Sequence, residues 1–148
     1  MLSAFLDFYR SVMIRKVEGV DDQKLRWSPV PTGTSLGGLI KHLAYVERQW
    51  FQETWAGRDV EYPWGEDDPD AEFRVGPDDT KDGLIEFYRQ ECAISREIAA
   101  AVSPDDTVPT EEGALSMRWI LVHMIEETAR HCGHADIIRE MIDGSVGD

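Results

Sequence analysis

LVHMIEETARHCGHADIIREMI, residues 121–142, is the stretch whose reading decides the fold. At 100° per residue His123, Glu127, His131 and His134 fall within an arc of about 80° on a helix. Ile120, Met124, Ile138 and Met141 lie in or beside the same arc, so four ionisable groups interrupt what should be an apolar face. Polar groups that point into a core need partners, because an unpaired buried charge is costly. A metal ion would satisfy a carboxylate and several imidazoles together.

Working outward, three further helices are expected. The first covers residues 2–18, with Leu2, Phe5, Leu6, Tyr9, Met13 and Val17 at helical spacing and Gly19 at its end. VDDQKLRWSPVPTGTS follows as an irregular connection, in which Trp27 should cap one end of the core. The second helix starts at Thr34 or Ser35 as N-cap and runs to Ala56, stopped by Gly57. Leu39, Leu43, Val46 and Trp50 form its inner stripe, and His42 lies within about 60° of Leu39 and Val46. Residues 57–79, acidic and rich in proline, glycine and aromatics, read as one long loop able to fold over one end of the bundle as a lid. The third helix spans 80–102, capped by Thr80, with Leu84, Phe87, Tyr88, Ile94 and Ile98 inward. Ser103-Pro104 breaks it. The fourth spans 115–143 and ends at Gly144. No repeat and no strand is evident. The reading is all-α, an antiparallel four-helix bundle forming a single domain over residues 1–148.

Composition narrows the function. The chain has 148 residues, 42% of them hydrophobic, which suits one globular core. Its formal net charge of −14 argues against a nucleic-acid backbone or an anionic membrane as partner. No apolar run is long enough to span a bilayer. The opening MLSAFLDFYRSVMIRKVEG lacks a basic n-region and a small-residue cleavage site. With only Cys92 and Cys132, the expected compartment is the reducing cytosol, and Cys132 is expected to be a core thiol.

Glu127 and His131 are four apart and project together. His42 is the one histidine outside the last helix. If the second and fourth helices pack together, it completes a facial set with that pair. Two imidazoles and a carboxylate suit Zn²⁺, Ni²⁺ or Fe²⁺, and three protein ligands leave a position open for water or substrate. The competing reading is a set of interior polar residues paired with one another or with Arg118 and Arg130. His123 and His134 stand one turn outside the pair, as partners that orient a ligand or as a fourth ligand. Arg130 could pair with Glu126, with Glu127 or with a substrate carboxylate. No G-x-S-x-G, P-loop or G-x-G-x-x-G motif offers other chemistry.

RKVEGVDDQKLRWSPVPTGTSLGGLIKHLAYVERQWF, residues 15–51, and SMRWILVHMIEETARHCGHADIIREMIDG, residues 116–144, resemble the DinB-like superfamily over nearly the whole chain. The resemblance implies a four-helix bundle whose metal is held by a histidine on the second helix and an H-x-x-x-H pair on the fourth. His42 and His131 match that pattern, and Glu127 departs from the commoner histidine. The glutamate variant is similar to the N-terminal domains of mycothiol-dependent maleylpyruvate isomerases, whose zinc is bound by two histidines and a glutamate. His134 falls where many relatives carry glutamine. The isomerases have a further C-terminal domain, which turns the expectation from isomerisation to transfer. The implied function is transfer of a low-molecular-weight thiol, such as mycothiol, to an electrophilic small molecule. The implied cofactor is a divalent transition metal, zinc ahead of nickel or iron. A non-enzymatic metal-binding or stress-response protein of the same fold is the alternative, and a plain helical interaction module without metal is a third. Apolar stripes on helices of this size would also serve a homodimer.

Overall fold

A computed structural model describes residues 1–147. Four long helices carry the structure: α1 (Leu2–Glu18), α3 (Leu36–Glu47), α4 (Lys81–Ala100) and α5 (Met117–Asp143). Their starts are written locally. Ser35 accepts from Gly38 N–H, Thr80 from Gly83 N–H and Ser116 from Trp119 N–H, so each hydroxyl satisfies an otherwise orphaned donor of the first turn. Gly144 ends α5 in the left-handed conformation at φ +76°, which favours glycine.

Several details correct the sequence reading. The connection after α1 contains a short helix, α2 (Asp22–Arg26), capped by the Asp21 carboxylate. Past Glu47 the second long helix continues as a π-helix, Arg48–Trp55, which swings Phe51 and Gln52 inward. Two short strands, β1 (Thr107–Thr110) and β2 (Gly113–Ser116), form an antiparallel hairpin just before α5, so α5 begins at Met117 rather than at 115. These strands are mostly exposed and one contains Pro109, so no alternation of apolar and polar residues announced them. Phe5 and Trp27, expected inside, are exposed.

Helix directions differ from the antiparallel expectation. Cys132 Sγ reaches the Tyr9 carbonyl and Arg139 reaches the Lys16 carbonyl, so α1 and α5 run parallel. Lys41 meets Asp79 just before α4, and Arg48 meets Glu91 further along it, so α3 and α4 are parallel as well. Glu18 pairs with Arg89 and Asp7 with Arg96, which sets α1 antiparallel to α4. Parallel neighbours cannot be joined by a tight turn, and this is why the chain needs the long segment between the π-helix and α4.

The interior divides into two apolar clusters. One is built on Met13, Val17, Leu25, Leu36, Leu39, Leu43, Tyr88 and Ile138, and the other on Leu6, Phe51, Met117, Ile120 and Met124. On α1, Arg10 sits between Leu6 of one cluster and Val12 and Met13 of the other. Its Nε donates to Glu47 Oε1 at 2.8 Å and its Nη2 to Glu47 Oε2 at 2.6 Å. Glu47 is 0% exposed, so this is a bidentate pair inside the core. Glu91 is held in the same manner by Arg48 and Gln52, each at 2.6 Å.

Removing one partner of a buried pair strands the other charge, whereas replacing both by apolar groups can be neutral. Glu47→Ala is expected to cost about 3–5 kcal/mol in urea denaturation. The double change Arg10→Met with Glu47→Leu should recover most of that loss.

Candidate metal centre

His42 stands on the inward stripe of α3, between the fully buried Leu39 and Leu43. Glu127 and His131 occupy successive turns of α5. Because α3 and α5 pass in opposite directions, the three side chains meet at mid-length. His131 Nε2 lies 2.9 Å from Glu127 Oε1, and His42 Nε2 lies 3.1 Å from the same oxygen, each within hydrogen-bond reach of it. The two imidazole rings lie 4.8 Å apart at 74°. Both histidines are 9% exposed.

Electrostatics follow from this sharing. Burial by itself lowers the pKa of His42, but the hydrogen bond to Glu127 and the nearness of Glu72 outweigh it, and the net direction is upward. Hydrogen bonds from His131 and His42 hold the Glu127 carboxyl well below the usual carboxylate range, against the opposing effect of burial. Arg130 adds its Nη1 at 3.4 Å from Glu127 Oε2, while its Nε bonds Glu126 at 2.9 Å.

The donor set fits a metal ion. One ligand atom from each of His42, Glu127 and His131 lies within 4.8 Å of the others. First-row divalent ions bind nitrogen and oxygen at about 2.0–2.2 Å, which places neighbouring donors about 3–3.5 Å apart. Of the two contacts to Glu127, the 3.1 Å one falls within that range and the 2.9 Å one just below it.

The other sequence-selected residues separate by position. His134 is exposed, and its Nδ1 stands 3.3 Å from Nδ1 of His131, one of the two donating. It therefore touches His131 on the side of the ring away from Nε2. His123 does not reach the cluster. It stacks on Trp119 at 5.1 Å and 13°, and meets Trp50 edge-on at 4.7 Å. Both thiols are buried, and burial drives Cys132 up to about 12 and Cys92 well above its ordinary value, so neither is poised as a nucleophile.

The sequence did not single out Glu72 or Phe73. A 3₁₀ turn, Ala71–Phe73, lies against α3, with the Phe73 ring stacked on His42 at 4.2 Å and 18°. Glu72 Oε1 stands 3.2 Å from His42 Nδ1. The turn can approach this closely because α3 begins with Gly37 and Gly38. A Cβ at Gly38 would collide with the Phe73 carbonyl oxygen, and one at Gly37 would lie 2.7 Å from Val75. Lys41 ties down the same segment through the Arg74 carbonyl and Asp79, each at 2.9 Å. The loop read as a lid thus lies across the middle of the site. Nothing local distinguishes Glu72 among the many acids of that loop, and the paired glycines of α3 were the available hint.

Residues 1–144 match the mycothiol S-transferase family. The chain belongs to that family, and with it to the DinB-like superfamily. A conserved protein from Enterococcus faecalis, solved by crystallography, superposes with a TM-score of 0.71 over 97% of this chain and 96% of its own. It is 16% identical, so the likeness concerns the fold alone. No curated protein matches the chain.

Gly38→Ala is expected to push the 3₁₀ turn off α3. The overpacking should cost about 1–3 kcal/mol. Hydrogen exchange at the Phe73 and Arg74 amides, both bonded within the turn, should accelerate relative to amides in α1.

Proposed function

We propose that this protein is a metal-dependent thiol S-transferase built on a DinB-like four-helix bundle, with His42, Glu127 and His131 as the metal ligands. The observation that carries the reading is the convergence of two imidazole Nε2 atoms on one Glu127 oxygen. Membership of the mycothiol S-transferase family supports it. A divalent cation at this site, zinc ahead of nickel or iron, would supply the Lewis acidity that keeps a low-molecular-weight thiol such as mycothiol in its nucleophilic thiolate form at neutral pH.

The chain's own residues divide the remaining work. His42 and His131 present neutral nitrogens, and Glu127 offsets part of the cation's charge. Arg130 covers the second oxygen of Glu127 and restrains its rotation. His134 engages His131 at Nδ1, away from Nε2, and three protein ligands leave an exchangeable coordination position. Two clefts adjoin at Thr32 and Thr34. One, of 620 Å³, has a mixed lining that includes Arg26, Ser35, Phe73 and Arg74. The other, of 440 Å³, is apolar and bounded by Val30, His134, Ile137 and Ile138. Arg26, Arg74 and Ser35 give the mixed cleft hydrogen-bonding groups for the polar body of a thiol cofactor, and the apolar one suits the electrophile. Among the described residues no helix is long and apolar enough to cross a membrane. The two free thiols suit a reducing cytoplasm.

Elemental analysis of protein purified without a histidine tag or chelator tests the site. About one transition metal per chain is expected, and it should be lost in His42→Ala and Glu127→Ala. Metal-loaded protein should then conjugate at least one thiol from a panel that includes mycothiol to an apolar electrophile, and the variants should not. Absence of metal after reconstitution with zinc and nickel would overturn the reading.

A further inference from the structure

His42 differs from His131 in what holds it. His131 is oriented by its own helix, through Glu127 and His134. His42 leaves α3 without a helical neighbour bonded to its ring. Its faces and outer edge are met instead by the crossover: Phe73 stacks on the ring and Glu72 stands at Nδ1. Nδ1 is buried and has no aligned hydrogen-bond partner, although the Glu72 oxygen is only 3.2 Å away. A buried nitrogen without a partner is costly. The terminal torsion of a glutamate is soft, so a modest rotation converts this contact into a hydrogen bond.

Which nitrogen carries the proton matters here. A neutral imidazole has one N–H, and the hydrogen bond at one nitrogen decides which of the two offers a lone pair. Metal-bound histidines commonly donate the other N–H to a carboxylate, which fixes tautomer and ring orientation. With Nε2 facing the Glu127–His131 pair, the group that accepts from Nδ1–H selects the binding tautomer.

We propose that Glu72 is a positioning residue for His42. It accepts the Nδ1 proton, commits Nε2 to the metal and couples the 57–79 crossover to occupancy of the site. This rests on the metal reading above. The geometry equips the segment for it. Gly38 allows the Phe73 carbonyl against α3, Lys41 anchors Arg74 and Asp79, and Arg26 Nη2 holds the Gly76 carbonyl at 3.0 Å. Glu72 is therefore delivered to His42 at the head of a stretch, residues 73–79, that is tied to α3 by Lys41 and to α2 by Arg26.

The experiment is Zn²⁺ competition against a chromophoric chelator, with the full chain as wild type, Glu72→Ala, Glu72→Gln and Glu66→Ala. Glu66 is an exposed acid of the same loop with no contact to His42 and controls for loop charge. Glu72→Ala should bind zinc about 10–100-fold more weakly. Glu72→Gln, whose amide oxygen still accepts from Nδ1–H, should stay close to wild type, as should Glu66→Ala. Nitrogen-15 NMR of the zinc-loaded wild type should show His42 protonated at Nδ1, and this signal should exchange faster with water in Glu72→Ala. Equal zinc affinity in wild type and Glu72→Ala, or an equal loss in Glu66→Ala, would overturn the positioning role and leave the metal site intact. Failure of the wild type to bind zinc would overturn the metal reading itself, and this inference with it.

Discussion

Parallel packing of neighbouring helices governs the rest of this structure. α3 and α4 run in the same direction, so the chain leaving the π-helix must travel back the length of α3 before α4 can begin. That return path is the segment from residue 56 to 80. A connection of this length without regular structure is ordinarily a liability, because its backbone groups need partners and its freedom must be lost on folding. Here it is tied to α3 by Lys41 and to α2 by Arg26, and the glycines that open α3 let its backbone press against the helix. A topological requirement thereby delivers Glu72 and Phe73 to His42.

The interior shows how a small helical protein carries charge inside. Arg10 and Glu47 saturate one another in a two-pronged contact, and Glu91 is saturated by Arg48 and Gln52. Such pairs contribute little net stability compared with apolar side chains of the same volume. They penalise any register in which one charge loses its partner. The Glu127 cluster differs: one carboxylate oxygen serves two imidazoles, and an Nδ1 is left without an aligned partner. The Arg10–Glu47 and Glu91 contacts pair every carboxylate oxygen, whereas in this cluster Nδ1 of His42 has no aligned partner.

Helix positions and caps were legible because their signals are local. Serine or threonine before an apolar periodic run, and glycine after one, act within a single turn. Glu127 and His131 were legible for the same reason, since a spacing of four places them on one face whatever surrounds them. His42 could be placed on an inward stripe by its neighbours Leu39 and Val46. The hairpin before α5 was not legible, because its strands are exposed and carry no period-two pattern. Phe5 satisfied the helical spacing of α1 and yet faces solvent, since periodicity marks an apolar face without saying how far a neighbouring helix covers it.

The sequence by itself therefore determined the four long helices and most of their ends, the acidic character of the crossover and the two residues of α5 that act together. Each of these depends on interactions between residues at most a few positions apart. Tertiary structure alone decided that α1 and α5 run parallel, that Arg10 meets Glu47, that His42 meets Glu127, and that Glu72 among many loop acids is the one beside His42. Those outcomes depend on how apolar stripes from distant segments fill a common interior. Packing of that kind is set by the whole chain at once and leaves no signature in any single stretch of it.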